Sequence, residues 1–395
     1  MNTKFPSPAA LLAINAGSSS IKFSLFRLSD NVQKIGDGRI VRIGLPGMSF
    51  ELTRNQFSEI EPLPNDVSDY VSAIKFIVDW LECQPSFTQV KVIVHRMVHG
   101  MEDCSPAIVD DRMLSSLKQE AGDDPEHLPN EIKLIEAFRY RYPQLPQYVC
   151  FDSYFHQDMP AVAKLLPLPR RFTQSGIRRY GFHGLSYQYI MQKLKAEGNG
   201  EGKTIIAHLG SGSSLAAVKD GKSVDTTMGF TPASGMPMST RSGDIDPGVA
   251  WHIMKHERLT ADQFIHMTNH ESGLLGVSGS SGDMLDLLSR DATDYFAVEA
   301  VDLFCYYVKK SVGAFTAALG GIDTLVFTGG IGENAAVIRK KVCTGLEFLG
   351  IELDYEANQK NENVISVAEA GVKVYVMPTD EELMMAETVS ELMNI

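Results

Sequence analysis

Hydrophobic and polar positions along the chain switch between two periods, one of strands and one of helices. From Leu11 to Phe26 an apolar run leads into a Gly/Ser turn at Gly17 to Ser20 and then into the alternating stretch IKFSLF, the pattern of a β-hairpin. The same design returns from Thr204, where TIIAHL runs into a second Gly/Ser turn at Gly210 to Ser214, another strand, and a D-G turn at Asp220 and Gly221. KVIVHRMV (91–98) and QYVCFD (147–152) read as buried strands that end in polar residues, while TLVFTGG (324–330) and VKVYVMPTD (372–380) read as strands running into turns that open helices. Helical periodicity marks 66–82, 127–141 and 294–319. The last of these carries too much apolar surface for one exposed face, so it is expected in deep core or at a subunit interface. Strands and helices alternate, which makes the class α/β. A hairpin unit opening each half predicts a duplicated fold with a cleft between the halves and the polar EGNGEGK (197–203) as the loop joining them.

Length and composition narrow the setting. A chain of 395 residues exceeds one ordinary core, and at about 150 residues per domain it predicts two or three domains. The formal charge of -13 argues against a nucleic-acid or anionic-membrane partner, so any anionic substrate must be held by a local cluster of positive groups. Five cysteines, odd in number and without a C-x-x-C pair, fit neither a disulfide framework nor a zinc site and point to a reducing compartment. The apolar run near the N-terminus leads into a turn and reads as a strand, not a secretion signal, and no stretch reaches the roughly 18 apolar residues of a membrane span. The expected location is the cytoplasm.

Three Gly-rich turns follow strands, at Gly17 to Ser20, Gly210 to Ser214 and Gly329 to Gly332, and such turns bring backbone N–H groups close to phosphate oxygens. None matches G-x-x-x-x-G-K-[ST], which excludes a Walker-type loop. Alternation puts Ser20 and Lys22 on one face of the strand after the first turn. His95 and Arg96 interrupt an apolar strand, and a buried Arg needs an anion, either a substrate or a structural ion pair. Arg241 lies in a turn-rich stretch beside Asp244 and Asp246, and His183 follows Arg178 and Arg179 closely. Asp152 and Glu381, at a strand end and a helix start, are the acids suited to a magnesium ion, directly or through water, although strand-end acids also serve as helix caps.

The motifs NAGSSSIKF, HRMVHG, CFDSYFHQDMP, RRYGFHGLS, AHLGSGSSLAAVKDGKSVDTTMGFTP, STRSGDIDPG, VFTGGIGENAAVIR and PTDEELMMA occur in that order from about Leu11 to Thr388. Together they closely resemble the acetate kinase family. The resemblance implies two similar actin-like (ribonuclease H-like) α/β domains around a catalytic cleft, 1–152 completed by a C-terminal helix over 382–395, and 153–381 with the nucleotide-binding turns. It implies a homodimer and transfer of a phosphoryl group from ATP to acetate with Mg2+, for which Mn2+ could substitute. Asn15, Ser18, Ser20 and Lys22 would lie at the phosphates, with Asn15 and Glu381 at the metal and Asp152 helping to place it. Arg96 and Arg241 would hold the carboxylate and the phosphoryl in flight, and His183 would bond the equatorial oxygens. These four, Asp152, Arg96, His183 and Arg241, form the implied catalytic set. The flat, forked guanidinium suits a planar, charged, metaphosphate-like group. His208, Gly210, Ser211, Gly212, Asp283, Gly330, Ile331, Gly332 and Asn334 would bind the nucleotide, and Arg96, Val98, Phe182 and Pro232 the acyl substrate.

The chain also departs from the family pattern: Ser211 stands where many members have Asn, Leu285 where Arg is common, Gly329 where Ala is common, and Glu126 where an apolar pocket residue is usual. The departures leave open a propionate or butyrate kinase and a pyrophosphate-dependent enzyme, while the joint presence of Asn15, Arg96, Asp152, His183, Arg241 and Glu381 weighs against the further alternative of a nucleotide-binding sensor without turnover. The mechanism expected from the resemblance is direct in-line attack, with the carboxylate already ionised and no general base needed.

Overall fold

A computed structural model describes residues 9–394 except 18, 30, 55–56, 101–103, 123–126 and 291–293. The chain divides into two compact units, Met1–Tyr154 with Asp380–Ile395, and Phe155–Thr379. The expected joining loop, 197–203, lies within the second unit, because the helix Gly184–Ala196 and the strand it precedes pack on the same sheet.

The first unit is built on an eight-stranded sheet. Its strands are β1 (Ala9–Ala16), β2 (Ile21–Leu28), β3 (Gln33–Val41), β4 (Ser49–Arg54), β5 (Phe57–Glu61), β6 (Val90–Met97), β7 (Ala107–Ile108) and β8 (Gln147–Phe151). They are ordered β5-β4-β3-β2-β1-β6-β8-β7. β1 is buried at every position, as a central strand covered on both faces must be. It pairs antiparallel with β2 and parallel with β6, and β6 is parallel to β8. The carboxyl ends of β1, β6 and β8 therefore share one edge. The helix Tyr70–Glu82 begins four residues later than the periodicity predicts, because Asp69 and Ser72 form a capping box that fixes its first turn. The helix Leu128–Arg141 covers the same side of the sheet, and the helix Glu381–Met393 packs on β1, β2 and β6.

The second unit repeats this plan with β9 (Lys203–Leu209), β10 (Ser213–Lys219), β11 (Lys222–Thr226), β12 (Thr324–Thr328) and β13 (Lys373–Val376) in the order β11-β10-β9-β12-β13. Again a first strand turns antiparallel into a second and lies parallel to the strand on its other side. One face, with Ile205, Ala207, Leu215 and Ala217, packs on the helix Tyr295–Leu319. The opposite face, with Ile206, Ala216 and Val218, packs on Tyr187, Ile190 and Leu194 of the helix Gly184–Ala196. The long helix is thus core along one side, with Tyr295, Phe296 and Tyr306 exposed on the other. Among the described residues no helix is long and apolar enough to cross a membrane, and the five cysteines are free.

Candidate functional site

Parallel strands deliver their polar terminal residues to a common edge, which is where ligands bind in open α/β sheets. In the first unit this edge collects Asn15 from β1, Arg96 from β6, Asp152 just past β8, and Glu381 and Glu382 at the start of the last helix. Arg96 donates from Nε to Asp152 Oδ1 at 3.0 Å, from Nη2 to Asp152 Oδ2 at 2.5 Å, and from Nη1 to Asn15 Oδ1 at 3.0 Å. Glu381 Oε2 lies 3.6 Å from its Nε. The Arg96 side chain is 15% exposed and that of Asp152 1%, so the fork is held almost out of water. Burial opposes the charged guanidinium, and the Asp152, Glu381 and Glu131 carboxylates more than offset that, holding Arg96 above the usual arginine range.

Asn15 Nδ2 donates to both Glu381 Oε2 (3.3 Å) and Glu382 Oε1 (3.2 Å). Burial pushes the Glu382 carboxyl up and its neighbour Glu381 adds to the push, with Lys22 and Asn15 acting against it. The adjacent Glu381 and Glu382 carboxylates, both bonded by the Asn15 amide nitrogen and the first also facing Arg96 at 3.6 Å, are hard oxygen donors. That set fits a divalent cation which keeps waters and completes its shell with phosphates. Among the described residues no cluster of three or more His, Cys, Asp or Glu forms a metal cage. Lys22 is exposed on β2 and Ser20 partly buried. Gly17 N–H donates to Ser20 O at 2.7 Å, closing the first turn. Ser18 and Glu126 lie outside the described residues.

In the second unit the corresponding edge carries the two other Gly-rich segments, and β9 and β12 hold them side by side through the pair Thr328 and His208. Gly329 has φ +76°, and a Cβ there would lie 2.7 Å from Leu209 O, so the residue that departs from the family's Ala is required by this backbone. His183 sits at the cap of its helix with φ 59° and ψ 22°. Its ring stacks on His208 at 4.3 Å between centroids. Each ring is anchored at Nδ1 by a serine hydroxyl 2.8 Å away, Ser214 for His183 and Ser186 for His208. A Cβ on Gly212 would meet His183 Nε2 at 3.4 Å and Arg241 Nη1 at 3.6 Å. The same Arg241 nitrogen donates to Pro232 O at 3.2 Å.

The structure therefore gathers Asn15, Arg96, Asp152 and Glu381 in one cluster and His183, His208, Gly210, Ser211, Gly212, Pro232 and Arg241 in another. Asp283 caps the helix Met284–Arg290, accepting from the Leu285 and Asp286 N–H groups at 2.8 and 3.1 Å, and Leu285 is exposed. Phe182 is buried, its carbonyl bonded to His156 Nε2 at 3.1 Å. The third expected turn is instead a short helix, Gly329–Asn334, held by the fully buried Arg339, which donates to Gly332 O (2.8 Å) and Glu333 O (3.0 Å). Its other donors reach Asn358 and Asn361. Burial brings that guanidinium down to about 10.

Several contributors escape sequence reasoning. Glu131, buried on the helix Leu128–Arg141, accepts from the Val98 N–H with both oxygens at 3.2 and 3.3 Å and so fixes the end of β6. Its spacing gives no hint, since its partner is 33 residues away. Glu382 does have a signal, the doubled acid of PTDEEL. Tyr187 follows His183 by one helical turn.

The first edge offers a carboxylate-held arginine and acidic oxygens, and the second a carbonyl-held arginine and two imidazoles, groups of the kind that in-line transfer of a phosphoryl group to an already ionised acceptor uses. The class this defines is an α/β phosphotransferase. Comparison with known proteins narrows it: the model of the acetokinase family matches residues 10–387. The acetate kinase of Oceanobacillus iheyensis is 37% identical, covering 98% of this chain and 99% of that protein. A crystal structure of Porphyromonas gingivalis acetate kinase superposes with TM-score 0.86 at 36% identity, over 97% of this chain and 100% of that one. A propionate kinase from Francisella tularensis reaches TM-score 0.89 at 33% identity, over 96% and 98%. The chain belongs to the acetokinase family, with the actin-like fold of these kinases, and is a phosphotransferase with a carboxyl group as acceptor. Family membership implies ATP and a divalent metal.

Proposed function

We propose that the chain is a Mg2+-dependent acetate kinase that reversibly forms acetyl phosphate and ADP from acetate and ATP. The observation that carries this reading is the convergence of His183 Nε2 and Arg241 Nη1 on Gly212, which sets two side-chain donors beside a turn whose backbone can approach phosphate oxygens. In the second unit, His183 and Arg241 stabilise the charge on the travelling phosphoryl, and the turn at Gly210 to Gly212 and the short helix carrying Gly330 to Asn334, with His208 and Asp283, hold the nucleotide. In the first unit, Arg96 orients the acceptor carboxylate, with its fork fixed by Asp152. Asn15, Glu381 and Glu382 would hold Mg2+, whose chemistry is to neutralise phosphate charge, and Ser18, Ser20 and Lys22 serve the phosphates. Val98, Phe182 and Pro232 supply apolar contact for the acyl tail. The acceptor needs no general base, because a carboxylate is ionised at neutral pH. The two units act as the two actin-like domains, and the chain works in the cytoplasm as a homodimer.

The test is trapping of acyl phosphate as hydroxamate from acetate, propionate and butyrate with ATP and Mg2+. Acetate is expected to give the highest kcat/KM, and chelation should abolish product until Mg2+ is restored. Pure, folded protein that makes no acyl phosphate from any of these acids with ATP, GTP or pyrophosphate would end the kinase reading. A second reading, propionate as the preferred acceptor, draws on the Francisella propionate kinase, and a higher kcat/KM for propionate would establish it.

A further inference from the structure

The hydrogen bonds behind His183 form a chain that continues past Ser214. Ser214 Oγ lies 2.8 Å from His183 Nδ1 and 2.5 Å from Tyr187 Oη. Tyr187 and Ser214 are fully buried, on the face of the sheet where the helix Gly184–Ala196 packs. Each hydroxyl has one proton to give. A phenol is the stronger donor and the weaker acceptor of the two, so Tyr187 gives its proton to Ser214. Ser214 must then turn its own proton to the remaining partner, His183 Nδ1. An imidazole that accepts at Nδ1 carries its proton at Nε2 when neutral, and Nε2 is the nitrogen that faces Gly212.

We propose that Tyr187 and Ser214 are positioning residues that lock His183 in the Nε2–H tautomer, so that the ring presents a donor, and not a lone pair, beside the Gly210 to Gly212 turn. The opposite tautomer would turn a lone pair toward any oxyanion there and convert attraction into repulsion. Backbone geometry supports the lock: His183 is held at a left-handed cap position (φ 59°), and His208 stacks on its ring. The ring face and Nδ1 are both held, and the hydroxyl chain sets the tautomer. The stacked neighbour repeats the device through Ser186 and His208 Nδ1. The catalytic consequence, though not the tautomer itself, rests on the reading that His183 serves the phosphoryl group.

The experiment is two-bond 1H–15N correlation spectroscopy of the 15N-histidine-labelled full-length protein, with His183 assigned by its loss in His183→Gln. Wild type is expected to show a protonated Nε2 and an unprotonated Nδ1, and Ser214→Ala a mixture of tautomers. Ser214→Thr, which restores a hydroxyl, should return the wild-type pattern. Ser214→Ala should lower kcat about tenfold with the KM for ATP within about twofold, as loss of one oriented donor does, and Tyr187→Phe should fall between. A protonated Nδ1 in wild type, or a pattern that Ser214→Ala leaves unmoved, overturns the proposal. Failure of the kinase reading shows separately: His183→Gln with undiminished hydroxamate formation would remove His183 from the chemistry while the tautomer result stands.

Discussion

The two units use one strand plan but hold their polar edges by different means. In the first, Arg96 is fixed by formal charge, through Asp152, Glu381 and the nearby Glu131. In the second, His183 and His208 are fixed by neutral hydroxyls, and Arg241 donates to the Pro232 carbonyl. The difference follows from the task proposed for each. A metal and an arginine need anions in place before substrate arrives, whereas donors meant for a phosphoryl oxyanion would be quenched by a carboxylate at their side. The charged edge should therefore be costly to break in stability, and the neutral edge costly chiefly in rate.

The largest expected effect is Asp152→Ala. It strands a guanidinium whose side chain is 15% exposed, and breaking a buried pair in this way costs about 3–5 kcal/mol. Chemical denaturation should show that loss, and the Arg96→Leu/Asp152→Leu double variant should recover much of it. A loss under about 1 kcal/mol would mean that Glu381 alone keeps Arg96 in place, and the contrast between the edges would weaken.

Acid tests a feature both units share. Burial brings His95 down to about 4 against its hydrogen bond to Gln147. His156 is likewise brought down to about 4 by burial, with its bond to the Phe182 carbonyl opposing and the Arg179 and Lys164 charges adding. Each folded value lies below the ordinary 6.5, so between pH 6.5 and about 4 the unfolded chain binds protons that the folded chain refuses. Stability should then fall as pH drops through that window, by up to about 3 kcal/mol for each histidine, and level off below it. His156→Gln should flatten part of the slope; an unchanged slope would show that His156 does not stay neutral.

How much of this was legible before the structure depends on the range of each interaction. The buried parallel strands and the first hairpin are plain in the sequence because a central strand is buried at every position and so almost wholly apolar, as β1 is apart from Asn15. Strands β3 to β5 give no such signal, since most of β3 is exposed or half-exposed. The helices Pro247–Glu257 and Ala261–His270 also hide, with a single buried residue, Thr268, between them. Strand-end residues such as Asn15, Arg96 and Asp152 stand out as polar breaks in apolar runs. Their supports do not, because Ser214 reaches His183 across 31 residues and Glu131 reaches Val98 across 33. Such partners are chosen by the packing of a helix on a sheet, which no local pattern records.

Arg241→Ala carries the contrast to the neutral edge. It should lower kcat at least about 10²-fold, roughly 3 kcal/mol of transition-state stabilisation, while the denaturation midpoint stays near wild type. Arg241→Lys should recover little, since an ammonium cannot reproduce the fork. Near-normal kcat in the alanine variant would leave Arg241 as a loop brace on Pro232.

The smallest change gives the sharpest test of the same edge. Gly212 is not in a left-handed conformation, and a Cβ there meets its nearest neighbours, His183 Nε2 and Arg241 Nη1, at 3.4 and 3.6 Å. Those are ordinary contacts, so Gly212→Ala should fold, with stability unchanged or higher by the few tenths to about 1 kcal/mol that lost unfolded-state freedom supplies. The added methyl occupies the space in front of both donors, where an incoming oxygen would need them. Activity should fall about tenfold, equivalent to about 1.4 kcal/mol, through kcat and not through the KM for the acyl acceptor. The same substitution made at Asp152 disrupts an ion pair and lowers stability first. If Gly212→Ala keeps full activity, the convergence on Gly212 is packing alone and the phosphoryl group must be held by other donors. If it loses stability along with activity, the second unit's edge is as rigidly interlocked as the first, and the contrast fails there.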